Sequence, residues 1–303
     1  QGQGEWLHLT VNPRVEDGAM QLTADKVDLS RASGDAFAHG NVKASWLNTK
    51  SATESARPGG PTGSMALGGQ GPAHVVAAEA QLHQATGEAT FRGQARLWQQ
   101  ANSVSAPVIV LDRTRQTLTA QTTSAAEPVR AVLVSASGTT SNQEQRRDVA
   151  KNSQPAVIRV RGGDLNYSDV QHRAEMRAGV LGNVVAETGT ATSTSDLVEV
   201  VLLPAGKPGG QAAQGQTQVD HITARGHVVL FSNGRRGTGE QLVYTGASGE
   251  YVLTGTATTP PKMTDPVRGT MTGEALIFQG RDDGIRVESG SGRSTSVETT
   301  APR

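Results

Sequence analysis

The stretch GDAFAHGNV at residues 34–42 is written almost again as GEATFRGQA at 87–95 and as GEYVLTGTA at 249–257. Each copy sets a glycine and an acid before four residues, then closes on glycine, a polar residue and a small apolar one. A segment of that length between two glycines suits one short strand ending where glycine permits a bend or bulge. GNV at 182–184 and GHV at 226–228 repeat the closing half alone. A second unit runs beside the first, an acid followed by apolar residues two and four places on. It is seen at Asp25 with Val27 and Leu29, Asp196 with Val198 and Val200, Glu240 with Leu242 and Tyr244, and Glu274 with Leu276 and Phe278. GDLNY at 163–167 is the same unit shifted by one residue. This alternation puts both apolar side chains on one face of a strand, and the four acids are expected at strand starts on the solvent side. The unequal spacing excludes a fixed-period solenoid and fits a meandering β-fold with loops of variable length.

Outward from these modules, the rest of the chain gives the same signal. Gly or Pro interrupts nearly every window long enough to show a 3.6-residue period, so no helix is predicted. Period-2 segments such as DKVDLS (25–30), TFRGQARLW (90–98), APVIVLD (106–112), HVVLFSN (227–233) and EALIFQG (274–280) predict an all-β chain. The Pro/Gly/Ser tract at 48–73, the polar stretch at 138–155 and AGKPGGQAAQGQTQ at 205–218 read as loops or linkers. The middle one divides the 303 residues into near-equal halves, which predicts domains at 1–137 and 156–303 joined by a linker at 138–155.

Composition bounds the function. The 28 basic and 28 acidic residues cancel, so no nucleic-acid partner is expected through bulk electrostatics. Without cysteine there is no disulfide framework, thiolate metal site or thiol nucleophile. LVEVVLLP at 197–204, among the longest apolar runs, is far short of the roughly 20 residues that span a bilayer as a helix. The opening QGQGEWLHLT lacks a basic-then-apolar leader and reads as the start of a mature exported product or of an excised piece. Only three Trp, three Tyr and four Phe are present, so the interior is expected to be lined by small groups.

Catalytic and cofactor patterns are not written here. The seven His residues show no H-E-x-x-H or paired metal spacing, and there is no G-x-S-x-G elbow and no Walker-type loop. Asp282-Asp283 before Gly284 reads as a hairpin turn rather than a cation site. A non-enzymatic protein without cofactor or metal is expected.

The run GEQLVYTGASGEYVLTGTATTP (239–260), followed by VRGTMTGEALIFQG (267–280), resembles the organic-solvent-tolerance-A-like (OstA-like) domain of periplasmic lipopolysaccharide-transport proteins. The carrying features are Tyr244, the corner Gly255-Thr256-Ala257 eleven residues on, and the next strand from Met271 to Phe278. STSDLVEVVLLPAGKPGG (193–210) running into VDHITARGHVVLF (219–231) is similar to the same family, and the first half resembles it more loosely through 22–46, 77–98 and 106–120.

The resemblance implies a twisted β-jellyroll open along one side; the chain departs from the family's bridging protein, which usually has one such domain, in holding two in tandem, whose strands can run on as one continuous stacked sheet. It implies a groove that accepts the acyl chains of lipopolysaccharide while the sugars stay outside, in a protein of the periplasm. By strand parity the residues lining it would be Val27, Leu29, Phe91, Leu97, Val108, Val110, Leu165, Val198, Val200, Leu242, Tyr244, Leu276 and Phe278. It also implies other OstA-like proteins as partners, or head-to-tail copies of this chain, stacked edge to edge through strands such as EWLHLTV (5–11) and IRVES (285–289). The alternative is a β-rich envelope scaffold that uses the same edges and binds no lipid.

Overall fold

The structure is a computed structural model, and it describes residues 5–17, 20–46, 71–135, 156–203, 218–267, 269–279, 284–288 and 296–298. The linker expected at 138–155 and the Asp282-Asp283 turn lie outside the described residues, as do nearly all of the tracts at 48–73 and 205–218.

In chain order the first strands are β1 (Trp6–Thr10), β2 (Arg14–Asp17), β3 (Met20–Thr23), β4 (Lys26–Ser30), β5 (Ala36–Trp46) and β6 (Ala73–His83). They continue with β7 (Glu88–Gln99), β8 (Asn102–Asp112), β9 (Thr117–Gln121), β10 (Val129–Ser135), β11 (Ala156–Gly162) and β12 (Asp164–Ser168). Next come β13 (Arg173–Arg177), β14 (Val184–Glu187), β15 (Ala191–Ser195), β16 (Leu197–Leu203), β17 (Gln218–Ser232) and β18 (Arg235–Thr245). The last are β19 (Glu250–Thr254), β20 (Lys262–Asp265), β21 (Gly269–Thr272), β22 (Ala275–Gln279), β23 (Ile285–Glu288) and β24 (Ser296–Glu298). Among the described residues the only helical element is a 3-10 turn at Gly179–Leu181, so the all-β reading holds. The chain forms two compact units: residues 1–131 with 164–172, and residues 132–163 with 173–303.

In the first unit the long strands change partners half-way. Residues Ala36–His39 of β5 pair with β4, whereas Lys43–Trp46 pair with β3. β6, β7 and β8 shift register at the same level, between Val76 and Glu79, Arg92 and Ala95, and Ala106 and Val108. Two antiparallel runs result. One joins β1, β4, the start of β5, the end of β6, the start of β7, the end of β8, β9 and β12. The other joins β2, β3 and the remaining halves of β5 to β8. Their inner faces meet, with Trp46 of the second run packing edge-on to Phe91 of the first at a centroid distance of 5.9 Å. The second unit repeats the plan. One run is β13, β16, the start of β17, the end of β18, β19, β22 and β23. The other contains β14, β15, the end of β17, the start of β18, β20, β21 and β24, with β11 beside β14.

The repeated frame explains this geometry. Its leading glycines, Gly34, Gly87 and Gly249, have φ of 75°, 72° and 70°, and their amides donate to the carbonyls of Ser30, His83 and Thr245 at 3.0, 2.9 and 2.9 Å. That bond closes the hairpin loop. The second glycine and the polar residue after it form the corner between runs: Gly40-Asn41, Gly93-Gln94 and Gly226-His227 all have positive φ. Only glycine fits the first corner position without strain, because φ is positive there and a neighbouring side chain sits against it, Ala78 at Gly93 and the preceding module's acid at the other two. A Cβ at Gly40 would lie 2.3 Å from Asp25 Oδ2, and one at Gly226 would lie 2.2 Å from Asp196 Oδ2. Two of the acids expected at strand starts, Asp25 and Asp196, are thus corner braces as well, whereas Glu240 lies inside β18. Asp25 N–H donates to the Gly40 carbonyl at 2.9 Å and its carboxylate accepts from Asn41 Nδ2 at 2.9 and 3.1 Å. Asp196 meets His227 Nδ1 at 2.8 Å.

Two glycines depart from the expected pattern. Gly255 has no positive φ and makes no corner; β19 stops at Thr254 and the chain leaves through a turn in which Thr256 N–H donates to the Thr259 carbonyl at 2.9 Å. The following Pro260-Pro261 cannot donate to a ladder, which ends the strand there. Gly182 caps the 3-10 turn at φ 76° rather than bending a strand.

Candidate functional site

The first unit holds a cavity of about 440 Å³ between its two runs. Its walls come from opposite sheets. Leu29, Ala36, Leu82 and Ala89 form one cross-strand row of the first run, continued by Leu111 and Leu118, and Met20 pairs with Trp46 across β3 and β5 in the second. Alanine at 36 and 89 is why the row leaves space. The rim carries the exposed side chains of Arg31, Gln84 and Arg113, with His83, Glu16 and Glu88 beside them. Val15 adds apolar surface from β2.

The second unit uses the same frame and sets aromatic side chains on its inner face. Cross-strand rows Met176-Val198-Ala224-Leu242-Leu253-Leu276-Val287 and Ala174-Val200-Ile222-Tyr244-Tyr251-Phe278-Ile285 run over its first sheet. Tyr251 lies between Tyr244 at 4.8 Å and Phe278 at 5.3 Å between ring centroids, and its hydroxyl is 3.3 Å from Thr188 Oγ1. Among the described residues a void lined by Ile158, Ala186, Leu230 and Tyr251, with others, is about 30 Å³. An ion pair of Arg235 Nε with Asp265 Oδ2 at 2.7 Å is buried at the other end of β18.

The lining residues predicted from sequence therefore fall into distinct settings. Leu29 reaches the cavity. Val27, Phe91 and Leu165 lie on the same inner face in the adjacent row, and Leu97 lies on the facing run, all buried in the core of the first unit. Val198, Leu242 and Leu276 share one row of the second unit, and Val200, Tyr244 and Phe278 share the next. Val108 and Val110 are a correction: they are half-buried on the outer face, and Ile109 and Leu111 point inward. The register shift between Ala106 and Val108 moves the parity by one, so Val104 and Ala106 are buried before it and odd-numbered residues after it. Sequence reading missed Met20, Ala36, Trp46, Leu82 and Ala89; the alternation Val42, Ala44, Trp46 carries the signal for Trp46, and Ala36 and Ala89 carry almost none.

Charged side chains brace the frame. The Asp28 carboxyl, which binds His8 and Lys26, is held below its ordinary value chiefly by the His8 hydrogen bond, and this ties β1 to β4. Burial pushes Asp169 up, against the Tyr167 hydroxyl that donates to it at 2.9 Å. The Asp196 contact raises His227. Among the described residues no group of three or more His, Asp or Glu is placed to hold a metal ion, and no helix is long and apolar enough to cross a membrane.

The model of the family described as "LptA/(LptD N-terminal domain) LPS transport protein" matches residues 12–117 and 167–281, which contain the corners, the cavity lining and most of the rows. The chain belongs to this family. Its role therefore lies in lipopolysaccharide transport. Among solved structures it is similar to LptH of Pseudomonas aeruginosa, the periplasmic component homologous to LptA of a lipopolysaccharide transport device. That match has a TM-score of 0.33 and 19% identity, and covers 48% of this chain and 89% of LptH. No curated protein matches the chain.

Proposed function

We propose that the chain is a non-catalytic periplasmic carrier or bridge that takes acyl chains of lipopolysaccharide into the first unit, with the sugars left outside. The observation that carries this reading is the 440 Å³ cavity between two apolar sheet faces. A chain entering it leaves water at about 0.8 kcal/mol for each buried methylene, without any directional contact. At the rim, Arg31 and Arg113 supply positive charge for the anionic part of the lipid, with Glu16 and Glu88 limiting its position. In this reading the chain comprises two tandem jellyroll domains, 1–137 and 156–303, and meets other transport proteins or further copies of itself through β1 and β23, each at the end of a run. The filled interior of the second unit favours a scaffold role for that half, as a module that extends the assembly without taking lipid.

Photo-crosslinking to purified lipopolysaccharide tests this directly. A photoreactive residue at Leu29 or Leu82 is expected to form adducts, and one at Leu242 or at the exposed Val170 is not. Folded protein that labels at none of the four positions leaves only the scaffold reading standing.

A further inference from the structure

The outer face of the second run of the first unit carries side chains that the cavity does not use. One cross-strand row there passes from Gln21 through Ser45 and His74 to Trp98 and Ser103, and the next row carries Arg14, Lys43 and Arg96. By strand alternation these point away from the buried Leu22, Ala44, Val75 and Leu97 of the same strands. Trp98 is half-buried and stacks on His74 with ring centroids 5.4 Å apart and planes 29° apart. Ser45 Oγ lies 2.8 Å from His74 Nδ1 and fixes that ring, and the Arg96 guanidinium carbon stands 5.9 Å from the Trp98 centroid. Arg14, Lys43 and Arg96 are exposed. Arg14 meets Glu16 at 2.6 Å, whereas among the described residues Lys43 and Arg96 have no carboxylate partner.

The combination points to one ligand chemistry. An apolar partner would strip water from the hydroxyls and cations and return nothing. A glycan answers all three features: the C–H face of a sugar ring lies on the electron-rich indole, its hydroxyls exchange hydrogen bonds with Gln21, Ser45 and Ser103, and acidic groups along it meet Lys43 and Arg96. The second unit carries the same device on its own second run. Phe231 is 51% exposed there, with the Arg236 guanidinium carbon 6.0 Å from its ring centroid, in a cross-strand row with Thr192, Thr264 and Thr270. The device is therefore not an extension of the first unit's cavity rim.

We propose that these outer faces bind a linear acidic glycan, the cell-wall strand of N-acetylated sugars whose peptide side chains bear carboxylates. A sugar tied to a lipid held in the first unit would account for one face only; a strand that repeats the same sugar along its length accounts for both. The proposal takes the periplasmic setting from the reading above and does not depend on acyl binding.

The test is co-sedimentation of the full chain with purified, insoluble cell-wall sacculi. The protein is expected to pellet with them, with affinity falling about fivefold to tenfold in Trp98→Ala, the effect of losing one aromatic contact. Lys43→Glu with Arg96→Glu should weaken it further and flatten its salt dependence, while Val170→Ala pellets as before. In the unaltered protein, labelled with ¹⁵N in its tryptophans, soluble fragments cut from the wall should move the indole resonance of Trp98 and leave that of the buried Trp46 in place, a readout that needs no variant to fold. No sedimentation, sedimentation unchanged in both variants, or displacement by the lipid-free saccharide of lipopolysaccharide more readily than by wall fragments overturns the proposal. Acyl crosslinking at Leu29 is read separately and should be unchanged in Trp98→Ala, so either reading can fail without the other.

Discussion

The two units share one plan, two sheet runs creased at Gly-polar corners, yet among the described residues the cavity between the runs of the first measures about 440 Å³ and the void lined by Tyr244 and Tyr251 in the second about 30 Å³. The difference lies in a few inward-facing side chains. Where the first unit has Ala36 and Ala89 in its outermost row, the second has Tyr244, Tyr251 and Phe278. The frame thus sets where the walls stand, and side-chain volume decides whether the space between them is a site or a core.

This contrast can be broken by substitution and by pH. The largest effect is expected at the buried pair of the filled unit: Asp265→Ala removes the carboxylate bound by Arg235 Nε and should cost about 3–5 kcal/mol in urea denaturation, because a buried charge loses its counter-charge. Next comes Leu253→Ala, at a fully buried position, expected to cost about 2–5 kcal/mol. Leu82→Ala on the cavity wall should cost about 1 kcal/mol, since fewer packed neighbours are lost. Equal costs at positions 253 and 82 would show that the cavity is closed in solution.

A fourth substitution converts one unit toward the other. Ala89→Phe places an aromatic ring in the open row and should lower crosslinking at Leu29 by about tenfold, with little loss of stability, since the ring enters existing space. The smallest effects are electrostatic. Asp28 titrates below its ordinary 3.8 in the folded chain, so its hold on His8 and β1 stabilises above that value and is lost as pH falls through the lowered one; amide exchange in β1 should rise there first. His227 has the opposite sign. Its value lies above 6.5, so its contact with Asp196 contributes below pH 6.5 and fades as pH rises through the raised value, which a ring-proton NMR titration would follow.

How much of this was legible in sequence differs by feature. The corners at Gly40-Asn41 and Gly226-His227 could be read because a left-handed pair needs glycine and tolerates Asn or His, a chemical constraint that leaves a written trace. The failed corner at Gly255 shares the letters, but the two prolines after it, rather than the frame, decide its course. The inward rows of the second unit were legible because Leu, Val and aromatic residues alternate strongly. In β8 the parity was lost at Pro107, where a register shift within an otherwise regular pattern reverses every face beyond it. The cavity was least legible, since alanines mark it by what they fail to fill, and Trp46 gains its meaning only from Met20 and Ala89, which are remote in sequence.

The paired glycines of the frame also act as a ruler. Between the hairpin glycine and the second glycine lie five residues in every copy, 34 to 40, 87 to 93 and 249 to 255, a length of about 16 Å at roughly 3.3 Å per residue. Where the second glycine makes a corner, that interval fixes the reach of each arm from rim to crease. Inserting two residues would lengthen an arm by about 7 Å and keep every side chain on its face, whereas inserting one would turn the lining outward. A protein built on such a ruler can adjust how much of a lipid it takes in by editing arm length in pairs, independently of the loops that join the arms.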